Sequence, residues 1–161
     1  MLTRKTTTAD LDRVMEVLSA AREAMREAGN TVQWVNGYPS RELIESDIER
    51  GVSYVIENEG RLVASFAFIL GDDPTYAEID GAWLNERPYG TIHRIGSDGS
   101  CRGVMGEALR FCSALCPNIR IDTHESNARM RAVLKKQGFA ECGTIYIEDG
   151  TPRIAFQKLY E

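Results

Sequence analysis

The run of residues from 64 to 70, Ala-Ser-Phe-Ala-Phe-Ile-Leu, constrains the fold more than any other part of the chain. A strand with one solvated face alternates apolar and polar residues, whereas an almost continuous apolar strand is typical of a sheet covered on both faces. Residues 52–57 and 61–70 flank Asn58-Glu59-Gly60, a sequence that favours a hairpin turn. The chain is therefore predicted to build a sheet whose central strand is covered on both faces.

Hydrophobic periodicity predicts helices before and after this hairpin. Apolar residues recur every three or four positions along residues 10–28, and Thr7 with Asp10 resembles a capping box. A second helix is expected to start after Pro39-Ser40 and to end at Gly51. Two more helices are predicted at residues 102–115 and 127–137, with strands at residues 89–96, 119–123, 139–147 and 153–159 and an uncertain segment at residues 76–83. This order predicts a mixed α/β fold in a single domain, residues 1–161, with a parallel crossover near the middle of the sheet.

Composition argues against several classes of protein. The formal net charge is -5 with the two signs mixed along the chain, whereas a nucleic-acid-binding protein usually has a basic face. No apolar run reaches the roughly 18 residues that span a bilayer, and no apolar signal region follows the N-terminus. A cytoplasmic protein without nucleic acid or membrane as a partner is expected. The acidic balance suits a cationic acceptor, although solubility alone explains it. The four cysteines and two histidines lack the spacing of a zinc site, so no metal is predicted.

The junction at residues 95–103, between a predicted strand and a predicted helix, is the richest of its kind in glycine and serine. Ligands of open α/β sheets tend to bind where a strand is followed by a helix. The unpaired amides and the dipole of the helix favour a phosphate there, and Gly103 and Gly106 leave room beside the backbone. The turn has neither a Walker lysine nor the G-x-G-x-x-G pattern, which disfavours nucleoside triphosphates and dinucleotides. A simple turn also contains glycines, so this motif alone names no ligand.

Together with the order of elements, the motifs downstream of this turn resemble the GNAT family of N-acetyltransferases over nearly the whole chain. In that family the pyrophosphate of coenzyme A lies against the pattern Arg or Gln, two residues, Gly, any residue, Gly or Ala. Here Cys101 takes the Arg or Gln position, Val104 the first glycine and Gly106 the last, so two signature positions are altered. Asn127 and the pair Gly138-Phe139 have the family spacing. The resemblance implies the GNAT acyl-CoA N-acyltransferase fold, a central, mixed, mostly antiparallel sheet flanked by helices.

The resemblance also implies a reaction and a cofactor. It indicates an N-acetyltransferase, monomeric or homodimeric, that passes an acetyl group from acetyl-CoA to a primary amine of a small molecule or peptide. The alternatives are a non-catalytic acyl-CoA sensor or an interaction protein of the same fold. By the same resemblance, the end of the strand before the turn binds the pantetheine arm and the thioester through backbone groups. The implied cofactor-binding residues are Arg94, Ile95, Gly96, Cys101, Arg102, Gly103, Val104, Met105, Gly106, Asn127 and Met130.

The catalytic acid and base are less clear from the sequence. Many relatives protonate the leaving thiolate with a tyrosine seven residues after the asparagine, but that position here is Leu134. Tyr146 is the first replacement and Cys142 the second, while a half-buried structural tyrosine is the alternative for Tyr146. His93 is the candidate general base because a histidine titrates near neutrality, although a lone histidine on a strand is more often a hydrogen-bonded structural group. Further candidates for the base are Glu78, Asp80 and water.

The acceptor site is predicted from aromatic residues. In this fold the first two helices and their connection usually cover the acceptor, and Trp34 and Tyr38 lie on that connection. Trp83 and Tyr89 flank another loop expected on the same side. Exposed rings of this kind hold amines by cation–π contact or planar groups by stacking. The four rings are therefore predicted to bind substrate, with Glu78 and Asp80 beside them, unless they close the end of the core.

Overall fold

The computed structural model describes residues 1–161 and contains one eight-stranded sheet. The strands are β1 (Leu2–Lys5), β2 (Ser53–Asn58), β3 (Arg61–Leu70), β4 (Asp80–Gly81), β5 (Gly90–Ser97), β6 (Asn118–Thr123), β7 (Ala140–Tyr146) and β8 (Pro152–Leu159). Their order across the sheet is β1-β2-β3-β5-β6-β8-β7-β4. Of the segment predicted with uncertainty at residues 76–83, only the two residues of β4 form a strand.

Four α-helices flank the sheet, and local signals account for where they begin. They are α1 (Leu11–Glu27), α2 (Arg41–Glu49), α3 (Val104–Leu115) and α4 (Ala128–Lys136). The Ser40 hydroxyl caps α2 by accepting from the Leu43 amide at 3.1 Å. The predicted pairing of Thr7 with Asp10 is present, and it caps a short 3-10 helix that leads into α1. Helix α3 starts two residues later than predicted because Gly103 has a φ of +85°, which a right-handed helix excludes.

The sheet is mixed and mostly antiparallel, as the sequence predicts. Antiparallel pairs join β1 to β2, β2 to β3, β6 to β8, β7 to β8 and β4 to β7. The parallel pair is β5 with β6, the fourth and fifth of the eight strands, in which Gly90 faces Ile119 and Thr91 faces Arg120. A parallel crossover near the middle of the sheet is thereby confirmed.

The chain divides into two compact units, each built from two stretches of sequence. The first unit comprises Met1–Phe68 and His93–Phe111. Its core is the apolar stripe of α1 packed against Ile44 of α2, Val55 and Leu62 of the sheet, and Trp34. Leu18 in this stripe is fully buried, and burial of a leucine side chain contributes about 2 kcal/mol to folding.

The second unit comprises Ile69–Ile92 and Cys112–Glu161. Its core combines Tyr76 and Tyr89 with Ile145 and Ala155 from the last two strands. The single-domain organisation of residues 1–161 stays a prediction. None of the four α-helices is both long enough and apolar enough to cross a membrane.

Candidate functional site

The turn after β5 contains one acidic residue, Asp98, whose negative charge is balanced by hydrogen bonds and arginines. The Asp98 carboxylate accepts from the Ser100 amide at 2.9 Å, and the Gly99 amide donates to the Ser97 hydroxyl at 3.2 Å. Two guanidinium groups neutralise Asp98, that of Arg13 at 2.8 Å and that of Arg61 at 3.6 Å. Burial raises the pKa of Asp98, but the Ser100 hydrogen bonds and the two arginines lower this pKa by more than burial raises it. The net pKa therefore lies below the usual range. The negative charge of Asp98 therefore repels an anion bound at this turn only weakly.

The first turn of α3 supplies free amides directly after this loop. The first intrahelical bond runs from the Glu107 amide to the Gly103 carbonyl at 3.0 Å, so the amides of Val104, Met105 and Gly106 precede the helical ladder. These three residues are half-buried and Arg102 beside them is exposed, while Cys101 is half-buried. Amides of this kind, with the positive end of the helix dipole, bind phosphate groups.

Glu107, the acidic residue in the first turn of α3, is also paired. Its carboxylate accepts from the Thr3 hydroxyl at 2.7 Å and from two nitrogens of Arg110 at 2.8 Å each. The Arg110 hydrogen bonds, followed by that of Thr3, lower the pKa of Glu107 to about 2. Both carboxylates beside the turn are thus paired with arginines, so neither is an uncompensated negative charge next to the helix N-terminus.

Strand β5 reaches this turn through an irregular backbone. Arg94 has a φ of +46°, the left-handed region that residues other than glycine rarely adopt. A left-handed residue within a strand interrupts the hydrogen-bond ladder and frees backbone groups. Two residues later Gly96 is pressed against the first unit's core, because a Cβ there would lie 2.9 Å from both the Ala21 methyl and the Trp34 ring. His93, the candidate base, is half-buried in the same strand and has an interaction partner.

The connection between α1 and α2 differs from the prediction at one of its two aromatic residues. Trp34 was expected to be exposed, but only 8% of it is accessible, because its ring joins the core of the first unit. The expectation of an exposed Trp34 is wrong. Tyr38 is 40% exposed, as expected, and its carbonyl accepts from Arg22 at 2.9 Å.

In the second unit, Asn127 opens α4 as the sequence predicts. Its side-chain oxygen accepts from the Met130 amide at 3.1 Å, which is the geometry of a helix N-cap. His124 orders the preceding loop, since its Nδ1 accepts from the Ser126 amide at 3.1 Å. Leu134, which takes the place of the family tyrosine, is completely buried. Position 134 therefore supports the core and has no exposed group for proton transfer.

Tyr146 and Asp80, both predicted as site residues, are neighbours in the second unit. Strands β4 and β7 approach so closely that a Cβ on Gly81 or on Gly143 would lie 2.2 or 2.1 Å from a carbonyl oxygen of the other strand. This approach allows the Tyr146 hydroxyl to donate to Asp80 Oδ2 at 2.9 Å. The hydrogen bond, and then the charge of Asp80, raise the pKa of Tyr146. Tyr146 is exposed rather than half-buried, and Glu78 is exposed as well.

The aromatic pair Trp83 and Tyr89 already holds a cation. The guanidinium carbon of Arg120 lies 4.1 Å from the centre of the Trp83 ring and 4.0 Å from that of Tyr89. Arg120 is 5% exposed and also donates to the Asn85 carbonyl at 2.8 Å. Tyr89 is buried and Trp83 half-buried. Of the two alternatives for these rings, closing the core fits the structure better than holding a ligand cation.

Cys142, the second candidate acid, lies half-buried on β7 and its thiol donates to the Ala140 carbonyl at 3.5 Å. Burial raises the pKa of this thiol more than the nearby hydrogen bonds and Arg120 lower it. Cys142 is half-buried whereas Tyr146 is exposed, so Tyr146 stays the first candidate for the acid and Cys142 the second.

The chain is similar in sequence and in fold to solved acetyltransferase structures. No protein-family model matches it, and no curated protein sequence does. The chain is similar to a solved GNAT-family acetyltransferase from Streptococcus agalactiae, with 34% identity over 99% of this chain and 95% of that one and a TM-score of 0.87.

Two further solved structures share the fold at lower identity. A GNAT-family acetyltransferase from Listeria monocytogenes is 22% identical over 98% of this chain and 94% of that one, with a TM-score of 0.72. The ribosomal-protein-S18-alanine N-acetyltransferase from Escherichia coli is 14% identical over 99% of this chain and 94% of that one, with a TM-score of 0.63. The architecture that the sequence resemblance implied is thereby confirmed.

Proposed function

The chain belongs to the GNAT family of acetyltransferases, and from that premise we propose that it transfers an acetyl group from acetyl-CoA to a primary amine of a small molecule or a peptide. The observation that carries the proposal is the first turn of α3. There, three amides precede the helical ladder while Asp98 and Glu107 are both paired with arginines. A pyrophosphate fits this environment because it accepts from amides and is not opposed by unpaired carboxylates.

The residues of the first unit would divide the work of binding. The amides of Val104, Met105 and Gly106 hold the pyrophosphate, and exposed Arg102 adds a positive charge beside them. The backbone groups of residues 94–96 bind the pantetheine arm and polarise the thioester carbonyl. Acetyl-CoA itself supplies an activated acyl group, which a neutral amine attacks without covalent help from the protein. Positioning would then account for much of the acceleration.

Two proton transfers remain, one from the attacking amine and one to the leaving thiolate. We assign the first to His93 or to water, and the second to Tyr146 in its hydrogen bond with Asp80. The carboxylate of Asp80 and that of Glu78 are exposed and would attract a cationic acceptor. Tyr38 is the exposed ring on the α1–α2 connection that would contact the acceptor. Because one structural neighbour acetylates an alanine of a ribosomal protein, a peptide amino group belongs among the acceptors tested.

The Asp80→Asn variant tests the acid through its pH dependence. Asp80 raises the pKa of Tyr146, and a general acid works only while it is protonated. Removing the charge lowers that pKa, so the alkaline fall of kcat should begin at lower pH in Asp80→Asn than in the wild type. In Tyr146→Phe we expect kcat to drop by about 100-fold or more.

The control for this variant is Asp149→Asn, which removes an exposed carboxylate hydrogen-bonded within its own turn. Its pH profile of kcat should match that of the wild type. A Tyr146→Phe enzyme with wild-type kcat would show that another group, or water, protonates the thiolate.

Turnover itself is tested by incubating the protein with acetyl-CoA and a panel of amines that includes polyamines, aminoglycosides and peptides with free N-termini. Release of the coenzyme A thiol should depend on the acceptor. Tight binding of acetyl-CoA with no acceptor-dependent thiol release would favour the alternative function, an acyl-CoA sensor. The observation that favours this alternative is the completely buried Leu134, which replaces the family tyrosine and cannot donate a proton.

Binding is tested separately by thermal denaturation. A ligand that binds only the native state raises the melting temperature as its concentration increases. At a ligand concentration of 100 times the Kd, the native state is stabilised by about 2.7 kcal/mol. A melting temperature that does not respond to acetyl-CoA would exclude both the enzyme and the sensor.

A further inference from the structure

A strained residue lies at the point of β5 to which the thioester is assigned. Arg94 adopts a φ of +46°, whereas left-handed residues elsewhere in the chain are mostly glycines in turns. A residue with a Cβ persists in this conformation only when contacts around it hold it there. The contacts of the Arg94 side chain therefore decide the backbone geometry of this part of the strand.

Those contacts converge on one carboxylate of α2. Arg94 Nε donates to Asp47 Oδ2 at 2.7 Å, and Arg94 Nη2 donates to Asp47 Oδ1 at 2.9 Å. Such a two-point contact fixes both the distance and the plane of the guanidinium. Asp47 is 1% exposed, and its carbonyl accepts from the Val52 amide at 3.0 Å, so it is itself held rigidly. Burial lowers the pKa of Arg94, but the Asp47 hydrogen bonds, the Tyr38 hydroxyl and the charge of Asp47 together more than offset this, so the net pKa is raised and the guanidinium stays charged.

The same stretch of β5 is fixed again on the far side of Ile95. Gly96 is in close contact with Ala21 and Trp34, which leaves no space for even a methyl group. The remaining edge of the Arg94 guanidinium faces the Tyr38 hydroxyl at 3.4 Å. The backbone between Arg94 and Gly96 is therefore held at both ends, by an ion pair on one side and by packing on the other.

We propose that Asp47 is a positioning residue for acetyl transfer. By clamping Arg94 it holds the left-handed backbone of β5 in the orientation that aims the amides of Ile95 and Gly96 at the thioester carbonyl. The inference rests on the proposed function, since it gives a catalytic purpose to a buried ion pair. Asp47 touches no reacting atom. Its contribution to the rate passes through the backbone of its partner.

The test compares Asp47→Asn with the double variant Asp47→Asn/Arg94→Gly. In Asp47→Asn the clamp weakens and Arg94 relaxes from the left-handed region, so we expect kcat to fall by about 10- to 100-fold. The Kd of coenzyme A should rise by a smaller factor than kcat falls, because the amides of α3 hold the pyrophosphate without the clamp and only the pantetheine arm lies against β5. In the double variant glycine adopts a φ of +46° without strain, so kcat should recover most of the loss.

The matched control is Asp12→Asn, which removes a carboxylate from another arginine pair. Asp12 Oδ1 accepts from Arg41 Nη2 at 2.6 Å on the surface of the first unit, and both side chains are exposed. The control should retain wild-type kcat and wild-type binding of coenzyme A. All constants are measured well below the melting temperature of each variant, so that loss of folded protein does not enter kcat.

The outcomes separate the positioning role from a purely structural one. A double variant no faster than Asp47→Asn would overturn the proposal. So would a loss of kcat in Asp47→Asn matched by an equal loss of affinity for coenzyme A, because a purely structural pair would disturb binding and turnover together. An Asp47→Asn enzyme with wild-type kcat would also overturn it while leaving the proposed function intact. A wild-type protein that acetylates no amine would reject the proposed function, and the positioning role with it.

Discussion

Gly106→Glu should abolish the binding of acetyl-CoA and leave the fold intact. The substitution places a carboxylate at the end of α3 where the pyrophosphate is expected. At about 4 Å and an effective dielectric constant of about 20, two like charges repel by about 4 kcal/mol. We therefore expect the Kd of acetyl-CoA to rise at least about 100-fold, a smaller change than this energy implies because solvent screens part of it. The helix should tolerate the change, since a glutamate near its N-terminus interacts favourably with the dipole.

The matched control is Ala114→Glu, an exposed position near the other end of α3. Eight residues separate the two positions, or about 12 Å along the helix axis. Isothermal titration should give a wild-type Kd for Ala114→Glu and no measurable heat for Gly106→Glu, while the circular dichroism spectra of both match the wild type. Equal affinity in the two variants would show that the turn is structural and that the phosphates bind elsewhere.

The sequence predicts the position of this turn well because the relevant signals are local. The spacing of apolar residues locates α3, and the glycines beside it mark the loop, so neither depends on distant parts of the chain. The limit of α3 was placed two residues early because only the structure gives the left-handed φ of Gly103. The neutralisation of Asp98 was not predictable, since Arg13 and Arg61 reach it from positions far away in the sequence.

The aromatic residues show where local reasoning fails. Trp34, Trp83 and Tyr89 lie in segments without periodicity, so the sequence offers no measure of their burial, and an aromatic residue in a loop is easily taken for a surface group. Alternation in β6 places Arg120 on the polar face of the strand, where a guanidinium is usually solvated. In the structure two rings cover it instead. Arg120 is more than 30 positions away from both rings in the sequence, so no local pattern reveals the contact.

Asp47 was missed for a related reason. It lies at helical spacing from the apolar Leu43 and Ile44 on a short amphipathic helix, but a carboxylate is rarely buried, so its charge outweighed its position. In the structure it is almost fully buried. Its partner Arg94 is itself in a conformation that no sequence pattern for a strand predicts. Strained backbone and buried charge thus occur together, and both depend on tertiary contacts. Such positions are the ones at which sequence rules are expected to fail near a functional site.

Gly143→Ala should lower the stability of the fold strongly, because β4 and β7 approach each other closely at this residue. Gly143 has a φ of +147°, and a Cβ there would lie 2.1 Å from the Asp80 carbonyl oxygen. Neither backbone can yield without separating the strands. A left-handed alanine costs about 1–2 kcal/mol and overpacking about 1–3 kcal/mol more, so we expect a loss of about 3 kcal/mol of stability. For a chain of this size that corresponds to a fall of about 10 °C in Tm.

The control is Gly150→Ala, which isolates the conformational term. Gly150 also has a positive φ, +83°, but no atom lies within 4 Å of an added Cβ. Its Tm should fall by only about 2–4 °C, the effect of about 1 kcal/mol of backbone strain. If Gly143→Ala and Gly150→Ala have the same Tm, β4 and β7 lie farther apart than the structure indicates.

Spectrophotometric titration of tyrosine measures a second effect of Gly143→Ala, the change in the pKa of Tyr146. Once β4 moves away, Tyr146 loses its hydrogen bond to Asp80, which raises its pKa in the wild type. The pKa of Tyr146, assigned by comparison with Tyr146→Phe, should therefore fall in Gly143→Ala and stay unchanged in Gly150→Ala. An unchanged pKa together with a lower Tm would mean that the strands separate only on unfolding. In that case the pair Tyr146–Asp80 does not depend on the two glycines, and its proposed part in catalysis would have to rest on other contacts.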